Sequence, residues 1–128
     1  MTADHGTLLA AARRILAGAE RDLERNHWLS ACVSAQRAAV MATEVWLRDK
    51  GQPLVSASVH ENVCLSPAAG AEVREAAALL DRYRIEEGYP HRSAALDAPR
   101  AEAALVVRAG RTVLTFVEER LESGRGER

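Results

Sequence analysis

Lysine is almost missing from this chain: among seventeen basic residues Lys50 stands alone, and the rest are Arg. Arginine is the stronger partner for phosphate and stacked bases, but genomic codon usage is the simpler cause of such a bias. Net charge is also missing. At −1 overall, the chain has no global field to draw it onto nucleic acid or an anionic membrane, so any phosphate contact must be local. Aromatics are scarce, with two Trp, two Tyr and one Phe. Only Cys32 and Cys64 carry thiols, which excludes a disulfide scaffold, and neither has a C-x-x-C or His/Cys spacing suited to a metal. No apolar run approaches the roughly 18 residues a membrane helix needs. The opening MTADHGTLLAAARR lacks a basic stretch followed by an apolar one, so no secretory leader is expected and the cytoplasm is the default compartment. A Gly-rich phosphate loop, a nucleophile elbow and paired Glu-x-x-His elements are missing too.

What is present is helix. In 128 residues, one domain by length, Ala supplies much of the 48% hydrophobic content. The core of that domain is expected over about 7–122, with 123–128 a frayed tail. The central stretch is 27–50, free of Gly and Pro. There Trp28, Ala31, Cys32, Ala35, Ala38, Ala39, Ala42, Val45 and Trp46 recur at three- and four-residue steps on one stripe. Gly51 stops it. Glu44 and Arg48 form an outward i,i+4 pair.

A first helix is expected over 7–25, capped by Thr7, with Leu8, Leu9, Ala12, Ile15, Leu16, Ala19 and Leu23 inward. Asn26 marks so short a break that the first two helices must be antiparallel. Residues 51–66 read as a loop, in which VHENVCL holds a single helical turn carrying His60. Ser66-Pro67 starts a third helix over 67–86, with Val73, Ala76, Ala77, Leu80 and Tyr83 or Arg84 inward, ending before Gly88-Tyr89-Pro90. Pro99 opens a fourth, with Leu105, Val106, Ala109, Val113, Phe116, Val117 and Leu121 inward, closed by Gly124. The fold class is an all-α four-helix up-and-down bundle.

Three elements of this layout resemble a known family. Trp28-x-x-Ala31 followed by Ala35-Gln36-Arg37-Ala38-Ala39 is similar to the second-helix Ala-Gln-Gln-Ala-Ala run of small HEPN domains (higher eukaryotes and prokaryotes nucleotide-binding). His60 follows Gly51-Gln52-Pro53, where the family often places a His. Leu80-Asp81-Arg82-Tyr83 leading to Gly88-Tyr89-Pro90 resembles the family's Leu-Asp-x-Tyr and Arg-Tyr-Pro elements. The chain departs from the pattern at Val40, Glu44, Gly88 and His91, where relatives carry Glu, Lys, Arg and an acid. The resemblance implies a HEPN-like bundle over about 8–121 and a homodimer. It also implies a nucleotidyltransferase partner in a toxin–antitoxin-type pair, or else a metal-independent endoribonuclease using an Arg-x(4–6)-His motif.

Arg84-x6-His91 fits that motif by spacing. A His near its neutral-pH transition can move the 2′-hydroxyl proton, while Arg holds the phosphate. In so Arg-rich a chain, however, Arg21-x5-His27 fits as well without any catalytic role, and Pro90 lies between the first pair. The reading preferred here is therefore a binding module for nucleotide or RNA without chemistry of its own, with the Arg84/His91 endoribonuclease and a purely structural dimer as alternatives. Candidate contact residues are His60, Arg82, Tyr83, Tyr89 and Arg92. Against each stands a plainer role: His60 as a packed turn residue, the tyrosines as plugs of the bundle end, and the arginines as charges offset by Glu86 and Glu87. No cofactor or metal is expected.

Overall fold

The structure, a computed structural model, describes residues 5–52, 58–83, 85–86, 89–90 and 100–126. Its elements are α1 (His5–Glu24), α2 (Trp28–Asp49), α3 (Val59–Val63), α4 (Ala71–Asp81), β1 (Ile85–Glu86), β2 (Tyr89–Pro90) and α5 (Arg100–Gly126). Among the described residues the protein is an all-α bundle of four long helices, with α3 laid on α4 as a fifth, one-turn helix. Helix α2 sits at the centre, packed between α1 and α5, while α4 packs on α5. A two-residue antiparallel pair, Ile85 opposite Pro90 and Glu86 opposite Tyr89, follows α4.

Local chemistry sets the two sharpest turns. Asn26 takes a left-handed φ of 64°, His27 N–H reaches back to Asp22 O at 2.8 Å, and Asn26 N–H bonds Leu23 O at 3.3 Å. Gly51 repeats this Schellman closure at φ 72°, with Gln52 N–H on Leu47 O at 2.8 Å and Gly51 N–H on Arg48 O at 3.0 Å. The turn at Asn26 folds α2 back along α1.

Every expected α2 stripe residue except half-buried Trp28 is in the core. Small side chains let the helices approach closely. Gly110 shows how closely: a Cβ there would lie 3.1 Å from Leu16 Cδ1, 3.2 Å from Ala35 Cβ and 3.4 Å from the Ala35 carbonyl oxygen. The Leu16 side chain can shift, but the α2 backbone cannot. Gly110→Val is therefore expected to destabilise by about 2 kcal/mol through overpacking, despite its better helix propensity. Chemical denaturation checks this; a midpoint at or above wild type would mean that α5 has room to withdraw.

Several expectations are corrected. Helix α1 begins at His5, so Thr7 is an exposed residue within it and not its cap. Ser66-Pro67 opens a turn instead of a helix: Ser66 Oγ accepts from Ala68 N–H at 3.1 Å, and α4 begins at Ala71 after an extended Gly70. At its other end α4 stops at Asp81, short of 86, where tight bonds from Arg82 N–H to Leu79 O and from Tyr83 N–H to Leu80 O close it. Leu105 is 54% exposed, because Ala103, Val106 and Val107 form the inward face there. Helix α5 also runs through Gly124 to Gly126.

Candidate functional site

Helix α3 has five residues, too few to hold itself together in water. Its order comes from a neighbour. Asp81, the last residue of α4, accepts the Val59 N–H at 2.7 Å through Oδ1, and the Ser58 hydroxyl at 2.5 Å and the His60 N–H at 3.2 Å through Oδ2. Ser58 Oγ in turn accepts the Glu61 N–H at 3.1 Å. The Asp81 carboxylate and the Ser58 hydroxyl thus together satisfy the donors at the start of α3, and the carboxylate complements its dipole. Val59 and Val63 are buried beneath, and Asn62 donates toward Thr43 Oγ1 on α2 at 3.5 Å.

This docking fixes where His60 points. Its half-buried side chain lines a groove of about 330 Å³ with Ala71, Arg74, Glu75 and Ala78 of α4. Just past the end of α3, Cys64 is exposed, its Sγ 3.6 Å from His60 Nε2. Arg74 is exposed, and no ion pair among the described residues engages it. Four other arginines are held in ion pairs: Arg13 to Glu118, Arg48 to Glu44 as expected, Arg82 to Glu102, and Arg111 to Glu20. The groove brings an exposed guanidinium and an imidazole onto one concave surface, beside Glu75.

The other expected site residues are not gathered there. Arg82 turns toward α5 and pairs with Glu102 at 2.8 Å. Tyr83 is fully buried, so its ring plugs the bundle and is not presented at the surface for a base to stack on. Among the described residues no partner lies within hydrogen-bonding geometry of its hydroxyl, although Glu102 and Cys32 act on it electrically. Burial first, then the pull of the Glu102 carboxylate on the hydroxyl proton, pushes this phenol up to about 12. Burial likewise raises the Cys32 thiol to about 11, with Glu102 adding to the effect and Tyr83 offsetting it. Both groups remain protonated at neutral pH, as core fillers should. Tyr89 is described only by its backbone, in β2. Arg84, His91 and Arg92 lie outside the described residues.

Arg74 was not singled out from the sequence, and Asp81 and Cys64 entered it without a site role, one inside the Leu80-Asp81-Arg82-Tyr83 element and the other as one of two thiols. Arg74 reads as one more solvated Arg, and Asp81 as a helix-end acid. Their roles depend on α3 lying across α4, which no local pattern encodes. Among the described residues no group of three or more His, Cys, Asp or Glu is placed to hold a metal, and no helix is long and apolar enough to cross a membrane.

Comparison with known proteins gives a consistent picture. The HEPN domain profile matches residues 6–120. Among solved structures, TT1696 from Thermus thermophilus is 28% identical, with a TM-score of 0.77 covering 91% of this chain and 97% of that one. ST0689, an archaeal HEPN homologue, is 19% identical, with a TM-score of 0.76 over 92% of this chain and 98% of its own. A HEPN domain protein from Thermotoga maritima, tm0613, is 23% identical, with a TM-score of 0.73 over 91% and 98%. The last two likenesses concern the fold alone. None of the curated proteins matches the chain.

Proposed function

The chain belongs to the HEPN domain family, and from that premise we propose that it is a binding module that performs no chemistry itself. In this reading it is a cytoplasmic homodimer that partners a nucleotidyltransferase in a toxin–antitoxin-type pair and engages nucleotide or RNA. The observation that supports it is the α3–α4 groove, where His60 and Arg74 line the same surface. Arg74 offers charge-assisted hydrogen bonds to phosphate, and His60 offers a ring donor beside it. About 330 Å³ lies at the small end of ligand sites, which run roughly 300–1,000 Å³. That suits a phosphate or ribose-phosphate with the base left outside. The departures from the relatives' polar pattern at Val40, Glu44, Gly88 and His91 fit a protein without catalysis.

The test is titration with AMP, ATP and a short RNA in the presence of EDTA, using wild type, His60→Ala and Arg74→Ala. Each substitution is expected to weaken binding about tenfold, the equivalent of ~1.4 kcal/mol. If neither nucleotide nor RNA binds at micromolar levels and no nucleotidyltransferase co-purifies, the reading is wrong. The Arg84-x6-His91 spacing keeps a second reading in play, that of a metal-independent endoribonuclease. It requires RNA cleavage that survives EDTA and disappears in His91→Ala.

A further inference from the structure

Helix α5, with 27 residues the longest of the described helices, carries a polar ridge on its outward face. Arg108, Thr112, Thr115 and Glu119 follow one another at steps of four, three and four residues, so they share one line along the helix. The line lies opposite the buried Val106, Val113 and Val117. A groove runs along each side of it. One, of about 300 Å³, separates the ridge from Glu72 and Val73 of α4, and the other, of about 460 Å³, separates it from Leu9 and Arg13 of α1. Thr115 and Glu119 line both grooves. The two ridge charges are unused. Arg111 and Glu118 at its flanks are paired with Glu20 and Arg13, whereas no ion pair among the described residues engages Arg108 or Glu119. Nor can these two pair with each other, since the helix between them holds them roughly 16 Å apart.

The ridge is complementary to itself. Arg108 and Glu119 stand equally far from the midpoint between Thr112 and Thr115. A two-fold axis through that midpoint, perpendicular to α5, sets Arg108 of each copy against Glu119 of the other, and Thr112 against Thr115. The two threonines are short enough for helices about 8–10 Å apart. The grooves on both sides receive the second copy's flanking side chains. Leu105, 54% exposed one turn beyond Arg108, comes under the aliphatic stem of the partner's Glu122. We propose that this ridge of α5 is the surface on which two copies of the chain associate, antiparallel, with an Arg108–Glu119 pair at each end. The proposal rests on the homodimer put forward above and adds where its interface lies. A foreign partner has no reason to match a charge spacing that is symmetric about its own centre. The same pairs fix the register, because a shift of one turn leaves every ridge charge unpaired.

The test uses full-length protein without nucleotide. Wild type, Arg108→Glu and Glu119→Arg are compared by analytical ultracentrifugation at equal concentration. Wild type is expected to be dimeric. Each single variant sets like charges against each other at both ends, so its dissociation constant should rise at least about tenfold. Mixed in equal amounts, the two variants should associate about as tightly as wild type, since one presents two carboxylates and the other two guanidinium groups. Arg25→Glu changes an exposed charge on α1 and should leave the dimer as it is. All these positions are at the surface, and circular dichroism checks that the variants are folded. The interface is overturned, with the homodimer left standing, if the single variants dimerise like wild type, if their mixture stays monomeric, or if Arg25→Glu disrupts the dimer as strongly. A monomeric wild type overturns the interface and the homodimer together.

Discussion

Replacing Trp46 with Ala is expected to lower the stability of this protein by about 3–5 kcal/mol, the cost of deleting a large buried aromatic. In a domain of this size that is a fall in Tm of about 10–20 °C. Trp46 is 1% exposed near the end of α2, where the Ala stripe gives way to larger side chains. It meets Phe116 edge-to-face, the ring centres 5.6 Å apart and the planes at 81°, and Lys50 Nζ sits 4.9 Å from the Trp46 ring centre. The edge-to-face contact and the lysine add to the area term. The Trp46 indole N–H is buried, with no hydrogen-bond partner among the described residues. Trp46→Phe, which removes that N–H and keeps most of the volume, should cost much less than Trp46→Ala. Thermal and chemical unfolding decide the matter. A loss of about 1 kcal/mol or less in Trp46→Ala would mean that α2 and α5 close over the gap.

Replacing Asp81 with Ala should cost about 2–3 kcal/mol, and the loss should be local. The substitution leaves two amides and a hydroxyl at the start of α3 without their charged acceptor. Because α3 cannot persist alone, its five residues are expected to loosen while α1 and α2 stay closed. Hydrogen exchange reads this directly, as faster exchange at the Val59 and His60 amides with α2 protection changed only by the global loss. Asp81→Asn keeps one acceptor oxygen and should lose about half as much. If α3 amides exchange no faster in Asp81→Ala, the buried Val59 and Val63 hold the turn unaided. The same substitution should weaken ligand binding in the groove, since His60 is aimed by the helix that Asp81 caps.

These two residues differ in how far the sequence exposes them. The Trp46 result follows from periodicity: a helix with a three-to-four-residue apolar repeat must bury that stripe, whatever covers it. The turn at Asn26, the stop at Gly51 and the single turn around His60 were equally legible, because each rests on local backbone chemistry. Where reading failed, two local signals competed. Ser66-Pro67 suits a turn as well as a helix start, and the apolar repeat in 100–107 admits a stripe shifted by one position, which left Leu105 on the wrong side.

By itself, then, the amino-acid sequence determined the helices, their main breaks, the apolar face of each and the resemblance to HEPN domains. These depend on residues within about one turn of each other, or on order along the chain. The tertiary structure decided which polar groups meet. It set Asp81 against the start of α3, paired Arg82 with Glu102, sank Tyr83 into the bundle, and brought His60 to Arg74. Most of those contacts join residues far apart in sequence, across a helix crossing whose angle is set by packing volume. No local pattern of polar residues carries that information.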